Sequence, residues 1–137
     1  MSASNPPVAA PVGAVPKWSR VALIAVAWLF AAGAVVQIFL AGLSVFESPE
    51  YWVDHVETGR MLGFLAYLLP ILAAIGRVGL PRFMQALVVA LLFVAQQILA
   101  NLDVGFIAAL HALNAFLLLG GAVDVGRSTL GLVRASR

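Results

Sequence analysis

The 137-residue sequence contains no cysteine, only two histidines and few charged side chains. Without cysteine the chain can form no disulfide, no thiolate metal site, no iron–sulfur cluster and no covalent c-type haem linkage. Charged residues make up 10% of the chain, whereas a soluble globular domain carries about 25%. The scarcity of charge therefore excludes an ordinary soluble domain.

What the chain has in abundance is apolar residues. They form 63% of the sequence, and the mean hydropathy is +1.04. Four apolar segments account for most of the length, and a helix needs about 20 such residues to cross a bilayer core. The sequence therefore predicts an all-α integral membrane protein, an up-down bundle of four helices within residues 18–127. The helices are expected at about 20–45, 50–76, 82–102 and 104–126.

The two ends of the chain lack this pattern. Residues 1–16 are rich in proline and alanine and carry no charge, so residues 1–17 are expected to form a disordered cytoplasmic tail. Residues 128–137 follow the last apolar segment and contain two arginines. They are expected to form a second, basic cytoplasmic tail.

The charges divide between the two sides of such a bundle. By the positive-inside rule, the side richer in lysine and arginine faces the cytoplasm. Both termini are therefore expected to lie in the cytoplasm, with the helices in the cell membrane. The basic residues flank apolar segments instead of forming one patch, so nucleic acid is not an expected partner. One side carries Lys17, Arg20, Arg77, Arg82, Arg127, Arg134 and Arg137, and the other carries Glu47, Glu50, Asp54, Glu57 and Asp103 with Arg60.

A few polar side chains interrupt the apolar helices. Gln37, Gln96, His111 and Asn114 lie about 20 to 25 Å from the cytoplasmic ends of their helices, if each residue rises 1.5 Å. His55 lies about 30 Å from the inner end of the second helix, so its estimated depth differs from that of His111 by about 8 Å. Polar groups from all four helices are thus expected in the outer half of the bundle.

Two interpretations of this polar layer remain open. In the first, the amides and imidazoles only hydrogen-bond one helix to another, for about 0.6 kcal/mol each, and the protein is a non-redox structural or accessory membrane subunit. Such a subunit would have a membrane-protein partner or form a homo-oligomer.

In the second interpretation, His55 and His111 supply the two axial imidazoles of a b-type haem, used for electron transfer or haem handling. Asn114 would orient His111 or contact the macrocycle, and Arg60 would pair with a propionate. Gln37 and Gln96 would complete the binding site. A non-haem metal ion is disfavoured, since no carboxylate lies near His111.

The stretch ALVVALLFVAQQILANLDVGFIAALHALNAFLLLGG resembles the second hairpin of one four-helix half-unit of haem A synthase. The resemblance implies haem ligation by His55 and His111. Trp52 and Val56 stand where that family carries a glutamate and an arginine. The segments QIFLAGLSVF, WVDHVETGRMLGF and LHALNAF resemble, over residues 20–127, a family of small uncharacterised four-helix bacterial membrane proteins. That resemblance implies the fold and topology but no activity.

Other catalytic chemistry has little support in the sequence. No serine has a histidine and an acid in a suitable arrangement, and no glycine-rich phosphate-binding loop precedes a helix. A non-enzymatic role is therefore favoured.

The charge asymmetry makes a testable prediction about topology. A reporter fused after Arg137 should remain cytoplasmic, and one inserted near Pro49 should be translocated, because basic segments resist transfer across the membrane. Paired phosphatase and fluorescent-protein fusions measure this directly. Translocation of the reporter at the C-terminus would overturn the four-span topology.

Overall fold

The computed structural model describes residues 13–102 and 104–136. In this part of the chain there are four α-helices and no strand, which confirms the predicted all-helical class. The helices are α1 (Ala14–Phe46), α2 (Tyr51–Ile75), α3 (Leu80–Ala100) and α4 (Gly105–Ala135). Each of the four is long and apolar enough to cross a membrane.

The first helix begins earlier than the sequence indicates. α1 starts at Ala14, so the last residues of the expected disordered segment 1–17 are helical. Pro16 lies in the first turn, where a backbone N–H has no partner within the helix, so the proline is tolerated there. Residues 1–12 of the expected tail lie outside the described residues.

The last helix ends later than the sequence indicates. α4 continues to Ala135, so most of the segment predicted as a basic tail, 128–137, is helical. The reason is packing, because Val125 and Thr129 are buried and Leu132 contacts the core on the same helical face. Arg134 lies in the final turn, where a cation favours the negative end of the helix dipole.

The four helices form a ring. α1 contacts α2 and α4, and α3 contacts the same two helices, so α2 and α4 lie on a diagonal. Neighbouring helices are antiparallel: Arg20, near the start of α1, contacts Gly76 beyond the end of α2, and Gln37, late in α1, contacts Thr58 early in α2. The smallest of the four interfaces is the one between α2 and α3.

A glycine lies at each of the four interfaces. Small residues let helix backbones approach closely. Close packing of this kind holds helices together in surroundings that are as apolar as the helix surfaces themselves. A methyl group on Gly63 would lie 2.9 Å from the ring of Phe93, and one on Gly121 would lie 2.9 Å from Val89. The glycine contacts are Gly33 with Leu62, Gly63 with Phe93, Gly121 with Val89, and Gly126 with Trp28.

The buried core fills only one half of the bundle. We call this the closed half; it holds the start of α1, the end of α4 and the α2–α3 turn. The open half carries the α1–α2 and α3–α4 connections. Large apolar side chains cover the outside of the ring on every helix, as a lipid-facing surface requires. The core of the closed half includes Leu23, Ala27, Phe30, Leu69, Ala73, Ala86, Val89, Ala122 and Val125.

Two arginines fasten the helix ends in the closed half. Arg20 is buried and donates from Nε to the Gly76 carbonyl at 2.7 Å and from its terminal nitrogen to the Arg77 carbonyl at 3.2 Å. These are carbonyls at the end of α2, where helix acceptors lack partners within the helix. Arg82 likewise donates to the Ser128 carbonyl of α4 at 3.1 Å. Both residues therefore have a structural role in addition to their charge.

Replacing Arg20 with methionine should destabilise the fold. Arg20→Met keeps the length of the side chain but leaves the carbonyls of Gly76 and Arg77 without their donor. The unfolding free energy should fall by about 1.5 to 3 kcal/mol, as expected for hydrogen bonds from a charged group. Unfolding in detergent measures this, with Lys17→Met, an exposed position on the same helix, as the control. Equal stability of the two variants would contradict this role for Arg20.

Candidate functional site

The open half of the bundle contains a crevice of about 720 Å³ that is lined by all four helices. This volume lies within the range of roughly 300 to 1,000 Å³ found for small-molecule and cofactor sites. The lining is mostly apolar and includes Ala34, Phe93 and Leu118. Its polar members include five residues that the sequence predicted as a binding site, namely Gln37, His55, Arg60, Gln96 and His111.

His55 is held by the neighbouring helix α1. Its ring atom Nδ1 lies 3.1 Å from the backbone carbonyl oxygen of Gln37. A carbonyl oxygen can only accept, so Nδ1 carries the hydrogen and Nε2 keeps its lone pair. The hydroxyl of Thr58 donates to the Asp54 carbonyl at 2.5 Å and also lies 2.5 Å from the side-chain amide of Gln37. Gln37 thus contacts two neighbouring turns of α2, through its backbone carbonyl at His55 and its side chain at Thr58. The carbonyl also determines the tautomer of His55.

The indole of Trp52 stacks on the imidazole ring of His55. The two ring centroids are 4.8 Å apart and the ring planes differ by 22°. Trp52 is not among the residues predicted from the sequence to form the site, yet it lines the crevice. The sequence feature that could have identified Trp52 is its position three residues before His55, since that spacing puts both side chains on one face of α2.

His111 is held through both ring nitrogens by a single residue of α3. Nδ1 lies 3.1 Å from the backbone carbonyl of Gln96, and Nε2 lies 3.1 Å from the side-chain amide nitrogen of Gln96. The hydrogen is therefore on Nδ1, which donates to the carbonyl, and Nε2 accepts from the amide. His55 and His111 consequently have the same tautomer.

Asn114 extends this network without touching the crevice. Its side-chain nitrogen donates to Oε1 of Gln96 at 2.6 Å and to the Leu92 carbonyl at 2.9 Å. Gln96 and Asn114 are both buried, with 8% and 7% of their surface exposed. Together the two amides and His111 connect α3 to α4 through four hydrogen bonds. Asn114 therefore acts on His111 through Gln96, and the structure gives it no place on the crevice wall.

The two imidazoles, from diagonally opposite helices, lie close together in an edge-to-face arrangement. Their centroids are 6.2 Å apart and their planes differ by 66°. The sequence suggested a difference in depth of about 8 Å between His55 and His111, but in the structure this difference does not keep the two rings apart. That estimate counted residues along straight helices and ignored helix tilt and the length of the side chains, which reach several ångströms from each helix axis towards the centre.

Arg60 lies at the edge of the site. It is exposed, and it lines both the crevice and a second cavity of about 220 Å³ between α2 and α3. Phe93 and Gln97 also line both cavities, so the crevice and the smaller cavity are adjacent. Within residues 13–102 and 104–136, no three histidine or acidic side chains lie close enough to hold a metal ion.

Residues 37–103 match the model of a family of unknown function, DUF6220. The match begins in the last part of α1 and includes the whole of α2 and α3, and so contains Gln37, His55, Arg60 and Gln96. It supports the similarity to an uncharacterised family that the sequence indicated. The resemblance to haem A synthase is not shown by the comparison. No curated protein and no solved structure matches the chain.

The buried amide network predicts the effect of removing Asn114. Asn114→Leu leaves Oε1 of Gln96 and the Leu92 carbonyl without their donor, and it should lower the stability of the bundle by about 0.5 to 2 kcal/mol. Unfolding in detergent measures the change. The matched control is Asn101→Leu, since Asn101 is exposed and its amide bonds only to the Gln97 carbonyl of its own helix. A rise in stability for Asn114→Leu would contradict the packing role.

Proposed function

We propose that this is a four-helix membrane protein that binds a b-type haem between His55 and His111. The observation that carries the proposal is the separation of the two imidazole centroids, 6.2 Å. Two imidazoles bound to one metal ion have their ring centres about 6 Å apart, because each metal–nitrogen bond is about 2 Å long. Rotation of either ring about its metal–nitrogen bond does not change the distance between the ring centres. The angle of 66° between the ring planes is therefore compatible with axial ligation.

The hydrogen bonds of both histidines fit axial ligands. A histidine that binds a metal through one nitrogen usually donates its other N–H to a carbonyl or carboxylate, which fixes the tautomer and the direction of the ring. His55 and His111 both donate from Nδ1 to a backbone carbonyl of an adjacent helix, those of Gln37 and Gln96. In each ring the lone pair is therefore on Nε2.

The remaining walls of the crevice suit an apolar macrocycle with acidic groups. Aliphatic and aromatic side chains form most of the lining, and the volume of about 720 Å³ is adequate for a cofactor. The guanidinium of Arg60 would bind a propionate, since arginine pairs well with carboxylates. Trp52 would restrict rotation of the His55 ring. A bound haem would supply one-electron chemistry, which suits electron transfer or haem handling.

The charges support a location for the protein. The basic closed half faces the cytoplasm in this proposal, so both termini are cytoplasmic and the crevice lies in the outer half of the cell membrane. The lipid bilayer is the immediate partner, and a redox partner would approach from the outer side. A second membrane protein or a second copy of the chain could cover the apolar exterior.

A second candidate function has an observation of its own. Asn114, Gln96 and His111 satisfy one another without any ligand. A bundle closed in this way could serve as a structural or accessory subunit of a membrane complex, with the polar layer acting only to hold α3 against α4. In that case the crevice would hold lipid.

The haem proposal predicts a coloured protein. Protein purified from haem-replete cells should show a b-type spectrum, and either His55→Ala or His111→Ala should abolish or convert it because one imidazole cannot replace two. Haem binds only the folded state, so the haem-free protein should melt at a lower temperature. Asn101→Ala, at the rim of the crevice, is the control and should keep the spectrum. A colourless protein, or a spectrum that survives both histidine substitutions, would leave the accessory-subunit function.

A further inference from the structure

The two histidines differ in one respect that the haem proposal does not use. Among residues 13–102 and 104–136, His55 forms a hydrogen bond through Nδ1 and none through Nε2. His111 has both nitrogens engaged, and the bond to its Nε2 comes from the side-chain amide of Gln96. Among these residues Nε2 of His55 therefore has no hydrogen-bond partner, and His55 lines the crevice, whereas Nε2 of His111 is occupied by the Gln96 amide.

We infer that Gln96 masks His111, by occupying its Nε2 until a ligand displaces the amide. In its consequences for haem, this inference rests on the proposed function. Gln96 is a positioning residue, since it acts through His111.

The geometry of the network supports a removable mask. The Nδ1–H of His111 donates to the backbone carbonyl of Gln96, and this bond does not depend on the Gln96 side chain. Rotation of the side chain would therefore release Nε2 while the imidazole keeps its direction and its tautomer. The Gln96 side chain borders the crevice, where a ligand could displace it.

Asn114 determines which end of the Gln96 amide faces His111. It donates to Oε1 of Gln96 at 2.6 Å, so the amide oxygen points to Asn114 and the amide nitrogen points to Nε2 of His111. If the Gln96 amide were turned the other way, its oxygen would lie against the lone pair of His111 Nε2. Its nitrogen would then lie against the side-chain nitrogen of Asn114. Both contacts would be unfavourable. The buried Asn114 therefore keeps the mask in place.

The mask would set the order in which the two histidines bind the haem iron. His55 offers an available lone pair and would bind iron first. His111 would follow after Gln96 has moved. The loss of one amide–imidazole hydrogen bond should weaken haem binding by about 3- to 10-fold relative to a protein without the mask.

Three substitutions isolate the masking bond. Gln96→Met has a similar length but neither donor nor acceptor. Gln96→Leu also has neither donor nor acceptor and is shorter, which provides a second variant should Gln96→Met fold poorly. Gln97→Met is the matched control, because Gln97 lines the same crevice and has no hydrogen bond to His111.

The first measurement requires no haem. Diethyl pyrocarbonate acylates an imidazole nitrogen that has a free lone pair, and peptide mass spectrometry reports the rate at each histidine. In the unaltered protein, His55 should react faster than His111. Gln96→Met and Gln96→Leu should raise the rate at His111 several-fold, whereas Gln97→Met should leave it unchanged. Equal rates at both histidines in the unaltered protein, or no change in the Gln96 variants, would overturn the masking role.

The second measurement is a titration of the haem-free protein with haemin. Gln96→Met should bind about 3- to 10-fold more tightly than the unaltered protein, and a larger fraction should have the six-coordinate, low-spin spectrum. Haem binding without any difference between these proteins would overturn the mask and leave the proposed function. Absence of haem binding in all of them, with His111 still more reactive in the Gln96 variants, would overturn the proposed function and leave the mask.

Discussion

The bundle depends on how a small number of polar side chains are paired inside an otherwise apolar assembly. Apolar helices in apolar surroundings gain little from burying more apolar surface, so close packing and interhelical hydrogen bonds must set their arrangement. The four interface glycines provide the close packing. The hydrogen bonds lie at two levels: Arg20 and Arg82 at the helix ends of the closed half, and the amides and imidazoles in the open half.

This division explains why the crevice lies where it does. In the closed half, alanines and a few large side chains fill the space between the helices. In the open half, long polar side chains reach inward and bond to neighbouring helices, and they leave a cavity between them. α2 and α3 meet over the smallest interface, with the second cavity between them. The crevice therefore opens most directly between these two helices, beside Arg60 and Phe93.

The fold of this chain is more predictable from its sequence than the site is, for physical reasons. Long apolar segments separated by short polar turns specify the number of helices almost completely. Helix ends are weaker signals: a segment rich in proline predicts a disordered tail that includes Pro16, yet proline fits the first turn of α1. The six predicted site residues follow from polarity, estimated depth and a family resemblance, none of which gives side-chain contacts. Polarity could not show that Arg20 is buried against α2, nor that an aromatic side chain, Trp52, stacks on His55.

The two candidate functions are distinguished by a single atom, Nε2 of His111. If the Gln96 amide stays on that atom, α3 and α4 are joined by a complete network and the imidazole is a packing residue. If the amide leaves, the same imidazole is already in the tautomer and direction that a metal ligand needs, because its other bond is to a backbone carbonyl. Packing and ligation therefore do not require different folds. They require different rotamers of one glutamine, and Asn114 contributes to the balance between them because it holds the amide oxygen.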